Sequence, residues 1–479
     1  MENLSSLSRF APELWLMAGI LVAFLGSLSR KLSGGPLIFV LLAITAAVAQ
    51  VGNEPTTLFE GLIAADGFTH LFRIFFLIVG VLTIIMAAYS KELENQGSEF
   101  SGLVLTVVLG MMLMASARNL LMAYLAMETV SIISYVLVSS LKGNLRSREA
   151  GIKYIIFGGL ASGFMLMGMS FLYGMTGSLD FGAIGATMAL HSPNTVTLFI
   201  SVALILVGLG FKVAAVPFHM WCPDVYEGAP IAVTAFLSVG PKAAGFALLL
   251  RLFHSTNLAG GELPLLWPGL IAAISVVTML VGNLSALWQD NLKRLMAYSS
   301  IAHAGYLLMA VVLLNSAGMI AIVFYLFAYL LMNFGAFMII GIVVDQTGTE
   351  DIRGLRGLWK RHPWLAVMMG VFLFSLTGLP PAFGFIGKFY LFAALIESGW
   401  IWLALVGLLN SVISLAYYMR IAKTMLIEGT EGDMKLPEGR MVAPPVTTTV
   451  VTVLAGLTLL FGIYWEPIRV FAERTFGLI

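Results

Sequence analysis

Four side chains stand where ionisable groups are expensive. Lys212, Lys242 and Lys388 lie in stretches otherwise apolar enough to cross a bilayer. Glu128 is the one acidic residue placed near the middle of such a stretch, within Asn119-Leu-Leu-Met-Ala-Tyr-Leu-Ala-Met-Glu128-Thr-Val-Ser131. A charge at bilayer depth costs about 2.5–3.5 kcal/mol on insertion scales, so it marks a functional site by default. The chemistry open to this set is proton transfer. Burial favours the neutral form of a lysine or a glutamate, whereas pairing favours the charged form of both. A Glu128–Lys212 couple that forms and breaks would therefore switch lysine protonation, and buried lysines can accept and release protons in a cycle.

Each residue also has a plainer reading. Glu128 could be a hydrogen-bonded carboxyl that glues helices, and a lysine near a helix end could snorkel to the interface. Snorkelling explains the three lysines poorly. Lys242 lies 12 residues past Pro230, and the other two sit beside proline breaks at Pro217 and Pro380-Pro381. Lys153 lies about a turn inside its span, next to Arg146 and Arg148, so the relay and snorkelling readings both stay open there. His219 follows the Pro217 break and His303 lies in Tyr298-Ser-Ser-Ile-Ala-His303. Either histidine could relay protons or simply satisfy freed backbone carbonyls. No second histidine or carboxylate stands at ligand spacing, so no metal is expected.

The elements that must position these groups are membrane helices. The 479 residues are 59% hydrophobic and 11% charged, with a mean hydropathy of +0.96. Soluble domains carry about a quarter charged residues. The chain reads as an all-α polytopic membrane protein. On a template of about 20 apolar residues per span, 14 spans are expected, near 13–29, 36–52, 67–89, 100–117, 119–141, 149–175, 195–221, 230–250, 264–288, 295–314, 317–344, 363–397, 400–419 and 444–464. Spans 7 and 12 are broken by proline. Leu14–Leu28 reads as a retained first helix, no segment shows strand alternation, and no soluble domain interrupts the chain. The two broken spans, each with a nearby lysine, lie five spans apart. That odd spacing suggests two inverted five-helix repeats, the design of many transporters. The expected division is 1–99 (helices 1–3), 100–254 (helices 4–8), 255–427 (helices 9–13) and 428–479 (helix 14).

Of 26 Lys and Arg, five fall inside spans, counting Arg73, and 16 fall in loops after odd-numbered spans, among them Arg30, Lys31, Lys293, Arg294, Lys435 and Arg440. The positive-inside rule puts those loops in the cytoplasm and both termini outside. A net charge of +1 offers no basic surface for nucleic acid, and the single cysteine, Cys222, rules out a cysteine-ligated cluster within the chain. No phosphate loop, haem or flavin signature is present. The expected chain holds no cofactor of its own.

Four motifs in order carry a resemblance: Glu149-Ala-Gly-Ile-Lys153-Tyr; Gly210-Phe-Lys212 through Pro217-Phe-His219-Met-Trp-Cys-Pro-Asp-Val-Tyr226-Glu-Gly-Ala-Pro230; Asn291-Leu-Lys293-Arg294-Leu through His303; and Leu379-Pro through Gly384-Phe-Ile-Gly-Lys388-Phe. Over essentially its whole length the chain resembles the antiporter-like membrane-arm subunits of proton-pumping NADH:quinone oxidoreductase (respiratory complex I), in the branch called subunit N. The resemblance implies a 14-helix antiporter-like fold with discontinuous helices 7 and 12. It assigns Glu128 and Lys212 to a modulating pair, Lys242 to the central relay, Lys388 to the terminal carrier, and His303 and His219 to the polar axis between half-channels. Lys388 matters to the branch, because the related subunit M carries glutamate there. The resemblance also implies M-type and K-type neighbours, a bacterial inner membrane, and NADH, FMN, iron–sulfur clusters and quinone held by partner subunits. An Mrp-type cation/proton antiporter subunit is the rival reading.

Overall fold

The computed structural model describes residues 2–29, 35–94, 96–190, 194–256, 267–313, 315–428 and 441–476. Arg30, Lys31, Lys435 and Arg440 lie outside them. In chain order the helices are α1 (Glu2–Arg9), α2 (Ala11–Ser29), α3 (Gly35–Ala49), α4 (Gly67–Ala88), α5 (Gly97–Ser116), α6 (Leu120–Val138), α7 (Leu145–Thr176), α8 (Phe181–Leu190), α9 (Thr195–Val213), α10 (Trp221–Gly228), α11 (Ile231–Ser255), α12 (Trp267–Ala286), α13 (Leu292–Val311), α14 (Ser316–Thr347), α15 (Leu358–Arg361), α16 (Pro363–Thr377), α17 (Phe383–Glu397), α18 (Ile401–Leu426), α19 (Pro445–Ile463) and α20 (Glu466–Phe476). Each of the expected spans meets a helix, with spans 7 and 12 split into α9/α10 and α16/α17. Ten of the described helices are long and apolar enough to cross a membrane. The protein is a multi-pass membrane protein.

Helix starts follow local chemistry. Asn119, Asn144, Asn194, Asn291 and Asn315 cap α6, α7, α9, α13 and α14, each side-chain oxygen accepting a first-turn N–H. Such a cap is worth about 1 kcal/mol. Two caps belong to a repeated substructure. α7 and α14, both 32 residues long, end in Thr176-Gly-Ser-Leu-Asp180 and Thr347-Gly-Thr-Glu-Asp351. Each tail returns to the preceding asparagine cap: Leu120 N donates to Leu179 O (2.9 Å) and Leu292 N to Glu350 O (2.8 Å).

The centre is α11, buried from Ile231 to Phe253, flanked by α14. A helix apolar all round belongs in such a core. Arg73 on α4 is fully buried against Glu13 of α2 (2.6 Å), with Gln50 just after α3 at 3.3 Å and His70 at 3.2 Å. Arg73 is thus a structural tie, and Glu13 is a fully buried acid, whereas Glu128 is partly buried.

Three expectations are corrected. A hairpin exists, β1 (Thr56–Leu58) antiparallel to β2 (Ile63–Ala65), with Thr56 opposite Ala65. Its strands are three residues each, and β2 is buried throughout, so no alternation could announce it. The short helices α8 and α20 stand outside every span expected from the sequence, each being too short to form one. Lys293, counted as a loop charge, is 2% exposed in the first turn of α13.

Candidate functional site

The first break places Lys212 in the last turn of α9. The chain leaves α9 through Ala214 (φ 59°) and re-enters helix at Trp221. A helix end leaves carbonyls that need partners, above all where water is scarce. Here Ala215 N donates to Gly210 O (2.8 Å) and Trp221 Nε1 to Phe211 O (3.1 Å). Trp221 is held for this by stacking on Tyr154 at 4.5 Å between centroids. Inside the gap, Val216 N finds Thr278 Oγ1 at 3.0 Å.

With Gly210 O and Phe211 O satisfied elsewhere, the buried Lys212 ammonium donates to Ser131 Oγ on α6 at 2.8 Å. Its stem packs on Gly245, where a Cβ would lie 3.4 Å from Lys212 Cβ. Glu128 stands one turn before Ser131, partly buried, with Oε1 buried and unpartnered. No ion-pair contact joins Glu128 to Lys212 among the described residues; the lysine sits on the hydroxyl instead.

Lys242, one turn before Gly245 on α11, is 4% exposed and donates to Ser300 Oγ of α13 at 2.6 Å. The Tyr226 ring of α10 lies 5.8 Å from its nitrogen. One turn beyond Ser300, His303 engages both ring nitrogens with phenols: Nδ1 with Tyr325 OH (2.6 Å) and Nε2 with Tyr418 OH (3.1 Å). Tyr418 OH also bonds Ser299 Oγ. An imidazole flanked in this way can take a proton at one nitrogen and release it at the other. Nearby, Asn333 donates to Ser238 (2.5 Å), and Asn283 links Asn410 (3.1 Å) to Tyr417 (3.0 Å).

Lys388 of α17 closes the row at the second break. Its ammonium donates to Thr377 O (2.8 Å), Leu376 O (3.4 Å) and Ser411 Oγ of α18 (2.7 Å), 4.6 Å from the Tyr306 ring. Thr377 is the last residue of α16, so a lysine from the second half-helix caps the first, where the helix dipole favours a cation. Gly378 makes room: its φ is +88°, and a Cβ there would lie 2.7 Å from Lys388 Cδ. Each of the three lysines thus has a serine hydroxyl as partner. Around them Tyr226 OH, Tyr306 OH, Tyr329 OH and Asn333 Oδ1 are buried with hydrogen-bonding capacity unused by protein.

Two expected site residues lie off this row. Lys153 pairs with Asp224 (2.6 Å) and Glu149 (2.8 Å), its side chain 38% exposed, and lines a cavity of about 270 Å³ with Arg146, Glu227 and Arg294. His219 is half-buried in the first break, and among the described residues no hydrogen bond ties it to Lys212, Lys242 or Lys388. Ser131, Ser300, Ser411, Tyr325 and Tyr418 were missed; hydroxyls are common in membrane helices and carry no signal until a lysine is found on them. A signal for Lys293 existed, since it falls seven residues before Ser300, on the same helix face.

Fold and site together define a class: a multi-pass helical membrane protein with a charged, hydroxyl-lined path through its core, interrupted where two helices break. Residues 117–414 match the family described as NADH:quinone oxidoreductase/Mrp antiporter, transmembrane. NADH-quinone oxidoreductase subunit N of Anaeromyxobacter sp. is 44% identical over 100% of this chain and 98% of its own length. Subunit N 2 of Sorangium cellulosum is also 44% identical, over 100% and 99%. A chain of respiratory complex I from Thermus thermophilus superposes with a TM-score of 0.81 at 31% identity, covering 96% of this chain and 99% of that one. A chain of the Mrp complex from Dietzia sp. shares the fold, with a TM-score of 0.85 at 22% identity over 98% and 97%. The chain belongs to the NADH:quinone oxidoreductase/Mrp antiporter family, among its NADH-quinone oxidoreductase subunit N members.

Proposed function

We propose that this chain is the proton-translocating membrane subunit N of an NADH:quinone oxidoreductase. Protons cross through Lys212, Lys242, His303 and Lys388, while electron transfer from NADH to quinone takes place in partner subunits that hold FMN and iron–sulfur clusters. The observation that carries this reading is the row of three buried lysines, each donating to a serine hydroxyl (Ser131, Ser300, Ser411), with His303 bridged between two phenols. Subunit N relatives 44% identical over the full chain favour it over an Mrp-type antiporter, for which the likeness is one of fold.

Glu128 and Lys212 act as the input switch. Ser131 lies one turn from Glu128, so a rotamer change carries the ammonium from hydroxyl to carboxylate. The coupled redox reaction biases that choice, which changes the proton affinity of Lys212 and drives a proton past Lys242 and His303 to Lys388. Moving one charge across 100 mV takes about 2.3 kcal/mol. Removing one partner of a buried ion pair costs about 3–5 kcal/mol, the same order as that step. Lys153 and His219 contribute as lower-ranked members, at the cytoplasmic mouth and in the first break.

The arrangement belongs to 14 spans with two inverted repeats, α5–α11 and α12–α18. The matched tails Thr176–Asp180 and Thr347–Asp351 support that division, and α2–α4 and α19 stand outside it. Both termini lie outside a bacterial inner membrane, with M-type and K-type subunits as neighbours. The test is the assembled complex in proteoliposomes, with NADH-driven quinone reduction coupled to internal pH and wild type beside Lys242→Ala. Co-purification with redox subunits and loss of pumping in the variant are expected. A chain that purifies alone and exchanges Na⁺ or K⁺ for protons without NADH overturns the proposal in favour of the antiporter.

A further inference from the structure

A fourth buried lysine has no part in the row described so far. Lys293 is 2% exposed, and its ammonium is held by Glu350 Oε1 at 2.6 Å and by Ala229 O at 2.9 Å. Glu350 is the solvent-facing member, its side chain 25% exposed and its other oxygen accepting from Asn291 Nδ2 at 2.9 Å. Glu92 reaches the same junction, its Oε2 accepting from Ile231 N at 2.9 Å. Asp345 stands on Lys91 beside it. Two opposite charges therefore grip the Ala229–Pro230–Ile231 junction, where α10 turns into the helix that carries Lys242.

Position along α13 is the second observation. Lys293 and Ser300 are seven residues apart, so they share one face of the helix about 10 Å apart along its axis. Ser300 Oγ receives the Lys242 ammonium. The buried pair thus sits two turns from the central lysine, at the end of the bundle to which the excess of loop lysine and arginine assigns the cytoplasm. A fully buried charge is retained against a desolvation cost of several kcal/mol per ion, which a surface tie would not incur.

We propose that Lys293 and Glu350 form the cytoplasmic loading pair of the proton path, supplying Lys242. The proposal rests on the proton-pumping reading given above. In the step, an N–H bond of the Lys293 ammonium breaks, and the proton passes through intervening hydroxyls and water to the Lys242 amine, where a new N–H bond forms. The Glu350 carboxylate then takes a proton from hydronium at its exposed edge and hands it to the neutral Lys293 amine, where the N–H bond re-forms and the carboxylate is left charged as before. One proton from the cytoplasmic solution ends on Lys242, and the pair returns to its starting charge.

The test separates loading from clamping. An arginine at 293 keeps the charge and the grip on Ala229 O but does not release its proton at working pH. Lys293→Arg, Glu350→Gln and Lys242→Ala complexes are compared with wild type in proteoliposomes. The readouts are subunit co-purification, NADH oxidation with an artificial acceptor, and protons pumped per NADH. Expected is an assembled Lys293→Arg complex that oxidises NADH normally but loses pumped protons, the loss deepening as the cytoplasmic-side pH is raised, with the same loss in Glu350→Gln. Wild-type pumping in Lys293→Arg or in Glu350→Gln, while Lys242→Ala fails, overturns the loading role and leaves the pump intact. Unchanged pumping in Lys242→Ala rejects the underlying reading instead. Failure of both Lys293→Arg and Glu350→Gln to assemble makes the pair purely structural.

Discussion

Gly378→Ala isolates what the second break does for Lys388. Gly378 has φ +88°, and an alanine in a left-handed conformation costs about 1–2 kcal/mol on backbone grounds. The added Cβ would also lie 2.7 Å from Lys388 Cδ, so the lysine stem must move. Moving it forfeits at least one short hydrogen bond, to Thr377 O (2.8 Å) or to Ser411 Oγ (2.7 Å). A hydrogen bond to a charged group is worth about 1.5–3 kcal/mol, so the whole change should cost about 2.5–5 kcal/mol. Gly399 provides the control. Its φ is +82°, and nothing lies within 4 Å of a Cβ placed there. Gly399→Ala therefore bears only the backbone cost of about 1–2 kcal/mol. Thermal denaturation of the two purified complexes, followed by acidification of proteoliposomes, reads both parts. Gly378→Ala should lie below Gly399→Ala in stability and lose pumping, while Gly399→Ala pumps normally. Equal denaturation temperatures and equal pumping would refute the idea that Gly378 exists to seat Lys388.

Ser300→Ala removes the hydroxyl on which Lys242 sits, a loss of about 1.5–3 kcal/mol for a charge-assisted bond; acidification should slow at least tenfold with assembly unchanged, and Ser300→Thr should recover it. Arg73→Met leaves Glu13 buried and uncompensated, so the variant should lose about 3–5 kcal/mol and assemble poorly, whereas adding Glu13→Leu should restore most of the yield. Burial raises the Glu92 carboxyl above its ordinary value of 4.5, so its contribution to stability is present at low pH and lost as pH rises through the folded-state value. Glu92→Gln should therefore gain on wild type in denaturation temperature as pH is raised from about 4.5 towards neutral, and a pH-independent difference would contradict this.

How far the sequence could be read depended on how anomalous each residue is where it stands. Lys212, Lys242 and Lys388 were legible because a lysine in a run of leucine, valine and phenylalanine has no cheap explanation. The breaks were legible because proline cannot donate to a helix, although the first begins at Ala214, ahead of Pro217. The serine partners were hidden, since Ser131, Ser300 and Ser411 can bond their own helix backbone and look ordinary in any span. Lys293 was misplaced because it stands beside Arg294 and Asp290, and local charge density imitates a loop. Arg294 does face the solvent cavity, whereas Lys293, 100° around the helix, turns inward. Glu13 was missed because the first turn of a span is where an acid is affordable; only the fold brings Arg73 to it.

The two breaks use their lysines differently, and that difference yields a last prediction. At the end of α9 Gly210 O and Phe211 O are met without Lys212, whose ammonium bonds no carbonyl: Ala214 N and Ala215 N return to Phe211 O and Gly210 O, and Trp221 adds its indole N–H. Lys212 can therefore leave Ser131 for Glu128 without exposing a helix end, as a switch must. At the end of α16, Gly378 N and Leu379 N serve Phe374 O and Ser375 O, and Leu376 O and Thr377 O are left to Lys388 and Ser411. Lys388 is thus tied to its break. Replacing it strands buried carbonyls, at about 1–3 kcal/mol each. Lys388→Met should denature at a clearly lower temperature than Lys212→Met, although both variants lose pumping. If Lys212→Met proves the less stable of the two in the same assembled complex, then Lys212 is holding the first break together and cannot be the mobile partner of Glu128.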